Sequence, residues 1–161
     1  AVNSLSHYTD WTVGHVHAGA LGWVALITFG SFYALVPWIF KRKTMYSPAL
    51  VEWHFWLAMA GTLTYVFAMW NSGVIQGLMW RTYNDSGTLA YSFIDSMVAM
   101  HPYYIARAVG GLLFLIGAVI GFYNIWMTAR GATRREEQPE EAVEPSAAPV
   151  FARQARLEAG E

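Results

Sequence analysis

Three long apolar stretches dominate the pattern of hydrophobic and polar positions along this chain. They cover residues 13–40, 53–75 and 103–127, and the only charge within them is that of Arg107. A helix rises 1.5 Å per residue, so a helix over each stretch is long enough to cross a hydrocarbon core of about 30 Å. The pattern predicts an all-α, polytopic membrane protein with three transmembrane helices.

Basic residues follow the first and third stretches, at 41–43 and 130–135. Because positive charge collects in cytoplasmic loops, the first helix is expected to run from outside to inside. Residues 131–161 are rich in Glu, Pro and Ala, which predicts a disordered cytoplasmic tail behind a membrane region at 1–130. Since position 1 is alanine, we also expect a piece of a longer polypeptide.

Local signals suggest where the helices begin and how they pack. Asp10 or Thr12 is expected to cap the first helix, and His101-Pro102 is expected to begin the third, because proline suits a first turn. Residues 84–87 predict a turn within a loop at 76–100. The third helix carries a small-residue face for close packing, formed by Gly110, Gly111, Gly117 and Gly121.

Composition supports the membrane assignment and narrows the chemistry. Hydrophobic residues make up 55% of the 161 residues and charged residues 13%, which is too little polar surface for an ordinary soluble domain. With a net charge of -1 and no basic patch, nucleic acid is not an expected partner. The chain has no cysteine, which excludes thiolate-ligated haem and a thiolate copper site within it.

Two histidines, His15 and His17, stand near the start of the first apolar stretch. Positions two apart on a helix point about 200° away from each other, so one metal ion cannot easily take both. The spacing suits one helix between two large cofactors, and haem iron is the leading candidate because histidine is its common axial ligand. Small neighbours leave room for flat macrocycles: Gly14, Ala18, Gly19, Ala20 and Gly22.

A packing role explains the same residues. Small residues four apart let membrane helices approach closely, and histidine can form hydrogen bonds between helices. However, two ionisable side chains in one apolar helix are expensive in a bilayer and mark function by default. The residues leave both readings open.

Arginines supply candidate partners for anionic haem propionates. Arg81 is expected on the same side as the paired histidines, and arginine binds carboxylates in a bidentate fashion. Trp80 beside it can stack or donate its indole N–H. A solvated loop charge explains Arg81 equally well. Arg107 is a second charge that can lie against a cofactor or partner, whereas His54 begins the second stretch on the opposite side.

Several motifs together resemble the catalytic subunit of cbb-type cytochrome c oxidases, the C family of haem-copper oxygen reductases. The resemblance covers residues 9 to about 130. The matching segments are Thr9–His17, Gly19–Trp23, Gln76–Arg81, Asn84–Asp85, Gly87–Leu89, Tyr91–Phe93 and His101–Pro102.

The resemblance implies that the three helices correspond to the last three of a twelve-helix subunit. It implies two b-type haems, with His15 as the catalytic proximal ligand of the high-spin haem and His17 as an axial ligand of the low-spin haem. Trp80 and Arg81 are then expected to contact propionates. The copper of the complete enzyme would not be ligated by this chain.

The implied function is part of a terminal respiratory oxidase of the bacterial inner membrane, which passes electrons from cytochrome c to oxygen, forms water and translocates protons. The expected partners are the remaining helices of the subunit, c-type cytochrome subunits, the cytochrome c donor, oxygen and membrane lipid. Three alternatives stay open: a nitric oxide reductase-like subunit, a small b-type electron carrier in which His101 or His7 completes the ligation of His17, and a structural membrane subunit.

Overall fold

The computed structural model describes residues 1–132, and the regular secondary structure of this part is helical. The predicted all-α fold is therefore confirmed for the described residues, while the predicted tail lies outside them from residue 133 onward. The elements in chain order are α1 (Val2–Ser6), α2 (Asp10–His17), a π-helical segment (Ala18–Ala25), α3 (Leu26–Ile39), α4 (Pro48–Met79) and α5 (Phe93–Arg130).

Two helical stretches of the described part are long and apolar enough to cross a membrane, Asp10–Ile39 and Phe93–Arg130. The helix between them, α4, spans 32 residues and is not one of these two stretches. Several of its polar side chains are buried, among them Thr62, Ser72 and Gln76. The count of three membrane spans therefore stays a prediction.

The chain runs up, down and up again, so its polar segments gather at two ends. Residues 1–9 and 80–92 form one end, which we call the loop end. Residues 40–47 and 130–132 form the other, the basic end, where Gly131 lies against the guanidinium of Arg42. Both basic segments thus meet at one end, as the charge pattern predicts, and the side of the membrane that this end faces stays a prediction.

The helix starts differ from those expected. The side chain of Thr9, rather than Asp10 or Thr12, accepts a hydrogen bond from the first turn of α2. A capping box of Ser92 and Asp95 begins α5 at Phe93, so Pro102 lies inside the helix instead of in its first turn. The loop expected at 76–100 therefore ends at residue 92 instead of at residue 100. The predicted turn is confirmed, with Gly87 at φ 76°.

Two glycines set the closest approach of α4 and α5. A Cβ added at Gly110 would lie 2.8 Å from the carbonyl oxygen of Gly61 and 2.8 Å from the amide nitrogen of Tyr65. Only hydrogen atoms fit there, because the helix backbones themselves are in contact. Gly117 and Gly121 also face α4, so three glycines of the predicted small-residue face pack against that helix. Gly111 does not, because nothing in the described part lies within 4 Å of its added Cβ.

Asn124 fixes the loop at the basic end to α5. Its Oδ1 accepts from the amide of Ser47 at 3.0 Å, and its Nδ2 donates to the Ser47 carbonyl at 2.9 Å. Both residues are buried. The side-chain amide of Asn124 thus takes the place of water as the hydrogen-bond partner of the Ser47 backbone. Without a partner, these buried peptide groups would be costly.

Large apolar side chains remain exposed on the outer faces of the helices. Trp23 is 69% exposed and Phe122 is 68% exposed. Soluble proteins rarely expose extended apolar patches of this kind, whereas lipid tails and further apolar helices cover them at no cost. The exposed surface therefore agrees with a membrane protein.

Candidate functional site

The candidate site begins at the end of α2, where His17 is held in one orientation. Its Nδ1 lies 2.8 Å from the carbonyl oxygen of Val13. Because a carbonyl can only accept, Nδ1 is the donor, and in the neutral imidazole Nε2 then keeps its lone pair. This is the arrangement that proteins use to present imidazole Nε2 to a metal.

Tyr65 of α4 lies against the His17 ring. The two ring centroids are 4.6 Å apart, and the tyrosine hydroxyl is 3.5 Å from His17 Nε2. That distance is beyond the usual range of a good hydrogen bond, so Nε2 is only weakly engaged. Sequence analysis missed Tyr65 as a neighbour of the site, because no spacing within one helix shows which residue of another helix will face it.

His15 is exposed and is oriented by stacking instead of by hydrogen bonding. Its ring lies parallel to Trp11, with centroids 5.3 Å apart and an interplanar angle of 8°. Trp11 stacks in turn on Trp70, at 6.5 Å. The imidazole is thus supported on one face, and no residue of the described part forms a hydrogen bond with its nitrogens.

The small residues around the histidines divide into two groups. A Cβ at Gly14 would approach Trp70 and Met69 within 3 Å, so this glycine packs against α4, and Gly22 faces Thr62. Gly19 has nothing within 4 Å of an added Cβ, and Ala20 is exposed. Packing therefore accounts for one face of the helix, while the other face is open.

The helix changes form directly after His17, where the π-helical segment begins. A π-helical stretch of eight residues is unusual, and such distortions are frequent at functional sites. It turns the positions after His17 relative to those of a regular α-helix. Nothing in the sequence analysis anticipated this segment.

The ligand inventory agrees with single imidazoles and not with a clustered metal site. Residues 1–132 contain no group of three or more His, Cys, Asp or Glu side chains that could hold a metal ion. A haem supplies four ligands from its own ring, so one imidazole is enough to attach it. His17 with its weakly engaged Nε2, and His15 with an open face, fit that requirement.

Trp80 and Arg81 share the loop end with the histidines but do not lie beside them. Trp80 follows Tyr65 by 15 positions of α4, a rise of about 22 Å at 1.5 Å per residue. Arg81 is exposed and donates to Ser4 at 3.4 Å. That these two residues contact propionates stays a prediction.

The other histidines at the loop end make no contact with His17. The ring of His7 is tilted by 41° against that of Tyr8, with centroids 4.1 Å apart, and His101 is exposed on α5. Neither residue is brought to Nε2 of His17. The structure thus offers no geometry in favour of either as a second axial ligand.

His54 lies in a separate environment toward the basic end. It is 1% exposed, and its Nδ1 is 2.6 Å from the hydroxyl of Tyr33. Its Nε2 has no partner among the described residues. It borders a cavity of about 380 Å³ that is otherwise lined by apolar side chains, including Phe29 and Phe122.

Comparison with known proteins identifies close relatives. The family model described as "Cytochrome C and Quinol oxidase polypeptide I" matches residues 1–113. The chain is 60% identical over 138 residues to the bacteroid cytochrome c oxidase subunit 1 homolog of Bradyrhizobium diazoefficiens, with 86% of this chain and 25% of the relative covered. It is 53% identical over 135 residues to the cbb3-type cytochrome c oxidase subunit CcoN1 of Stutzerimonas stutzeri, with 84% and 28% covered. The chain therefore spans about a quarter of the length of these relatives.

Proposed function

Because the chain belongs to the cytochrome c and quinol oxidase polypeptide I family, we propose that it forms the haem-binding carboxy-terminal part of a terminal oxidase catalytic subunit. The complete enzyme would take electrons from cytochrome c and pass them to oxygen, with water as product and proton translocation. It would reside in the bacterial inner membrane with the tail cytoplasmic.

The observation that carries the proposal is the orientation of His17. Its Nδ1–H is committed to the Val13 carbonyl, so Nε2 is the nitrogen available to iron. We propose that His17 holds the low-spin haem and His15 the high-spin haem. When bound, these haems supply electron relay and oxygen activation.

The chain's own residues orient the two imidazoles. Trp11 supports the ring of His15, while Tyr65 packs against the ring of His17. Both ligands belong to α2, so their separation is fixed by one rigid backbone. A fixed separation avoids reorganisation when charge moves between two cofactors.

The rest of the proposed complex follows from what the chain leaves uncovered. Its exposed apolar faces suit the remaining helices of the subunit and membrane lipid. The word subunit in the relatives' names supports assembly into a complex. We propose c-type cytochrome subunits as partners and a copper held by residues outside this chain. Trp80 and Arg81 are retained as proposed contacts for propionates in the outer loop.

Single substitutions in the intact, membrane-purified protein test the two ligand roles. We expect His17→Ala to remove the low-spin signal from the reduced-minus-oxidised spectrum, and His15→Ala to alter the high-spin signal alone. His101→Ala is the matched control, since it replaces an exposed histidine near the same end, and both signals should survive. Retention of both signals in His15→Ala and His17→Ala would contradict the proposal. Conversion of the low-spin signal by His101→Ala would favour the small electron carrier.

A further inference from the structure

Arg107 places a positive charge inside α5, one of the two helices apolar enough to cross a membrane. The residue is half-buried. Its guanidinium lies 4.8 Å from the centre of the Tyr104 ring, and its Nη1 is 3.9 Å from Met69 Sδ. Neither neighbour neutralises the charge, and charged side chains within membrane helices are almost always paired.

No carboxylate of residues 1–132 forms an ion pair with Arg107. Asp10 lies beside Tyr104, but its carboxylate accepts from Ser72 Oγ at 2.6 Å. No carboxylate of these residues thus lies within ion-pair distance of the Arg107 guanidinium, which leaves it able to bind an anion supplied from outside them. A planar guanidinium held over an aromatic ring is best suited to a carboxylate, which it binds through two parallel hydrogen bonds.

Helix contacts place Arg107 close to the level of His17. Gly110 of α5 abuts Tyr65, and Tyr65 packs on the His17 ring. Arg107 precedes Gly110 by three positions, a rise of about 4.5 Å toward the loop end. It therefore lies within one helical turn of that level.

Contacts of Met69, one turn further along α4, place Arg107 at the same level. Arg107 reaches Met69, and Met69 packs against Gly14, which lies nearer the loop end than His17. Trp80, by contrast, lies about 22 Å along α4 from the same level. Among the arginines near the loop end, Arg107 is thus the one that the helix packing brings to the histidines.

We propose that Arg107 binds a carboxylate of the haem attached to His17. The inference rests on the proposed function. It gives Arg107 a role separate from those of the two proposed haem ligands, His15 and His17. Tyr104 positions the guanidinium through the cation–π contact. The positive charge also stabilises the reduced haem, because reduction adds an electron to the neighbouring iron.

The test is the midpoint potential of the low-spin haem in the intact protein. Arg107→Gln should lower it, so that at a fixed potential the ratio of reduced to oxidised haem falls about tenfold, which equals about 59 mV for one electron. Arg130→Gln is the matched control, because Arg130 also stacks on an aromatic ring, Trp126 at 4.5 Å, but lies at the basic end. It should leave the potential unchanged.

A second measurement covers failure of Arg107→Gln to assemble. Arg107→Lys keeps the charge but loses bidentate binding, so it should shift the infrared stretching band of isotope-labelled haem carboxylates. An unchanged potential in Arg107→Gln, or an unchanged band in Arg107→Lys, would overturn the Arg107 role while leaving the ligands intact. Absence of the low-spin haem from the wild-type protein would overturn both proposals.

Discussion

Neighbouring glycines on α5 should respond to the same substitution in opposite directions. A Cβ at Gly110 meets backbone atoms of Gly61 and Tyr65 at 2.8 Å, whereas ordinary contacts begin at 3.4 Å. Backbone cannot rotate away, so α4 must move outward by about 0.6 Å, an overpacking that costs about 1–3 kcal/mol. The better helix propensity of alanine returns about 1 kcal/mol, which leaves Gly110→Ala destabilised by up to about 2 kcal/mol.

Gly111→Ala is the matched control, because nothing in the described part lies within 4 Å of its added Cβ. It should gain about 0.5–1 kcal/mol from helix propensity alone. The two variants then differ by about 2 kcal/mol, or about 4–8 °C in midpoint for a chain of this size. Thermal unfolding of the helices in detergent micelles, followed by far-ultraviolet circular dichroism, measures this difference. Equal midpoints, or a higher midpoint for Gly110→Ala, would refute the packing argument.

Two further predictions concern the ends of the helices. Asn124→Leu removes both hydrogen bonds to the Ser47 backbone and should lower the stability by about 2–4 kcal/mol. The loop at 41–46 should then be cleaved faster by proteases, and cleavage at the wild-type rate would contradict the role of Asn124 in holding this loop. Ser92→Ala removes half of the capping box with Asp95 and should cost about 1 kcal/mol. In the Ser92→Ala variant, amide hydrogen exchange should become faster in the first turn of α5 and not in the last. Equal acceleration along the whole helix would contradict a local effect.

The sequence predicts features that depend on neighbours along the chain. Apolar stretches with almost no charge identify the long helices, and the basic residues at 41–43 and at Arg130 identify the end at which the described segments meet. The turn at Gly87 is local in the same sense, since a positive φ favours glycine. For the candidate site, the small residues four apart and the paired histidines single out one helix, but they do not show what surrounds it.

Other features depend on contacts between helices or on competition between local signals. The sequence analysis starts the third helix at His101-Pro102, whereas α5 begins at Phe93. The capping box of Ser92 and Asp95 is a stronger helix start signal than Pro102. Pro102 is accommodated inside α5 because the helix continues on both sides of it. The packing of Tyr65 on His17 and the level of Arg107 depend on the register between α2, α4 and α5, which no periodicity within one helix reveals.

The buried pair of Tyr33 and His54 illustrates the same point for polar groups. Sequence analysis separates His54 from the paired histidines correctly, but it does not show the 2.6 Å contact that joins α3 to α4. Such a hydrogen bond between apolar helices stabilises their pairing. It fixes the position of α3 at a point well removed from His15 and His17.

Haem content and spin state of the intact, membrane-purified protein test the central claim most directly. Quantified b-type haem per polypeptide, combined with low-temperature electron paramagnetic resonance, separates low-spin from high-spin iron. Ligation by His15 and His17 predicts two b-type haems in each polypeptide, one low-spin and one high-spin. A single low-spin haem, or none, would contradict the claim that one helix holds both cofactors.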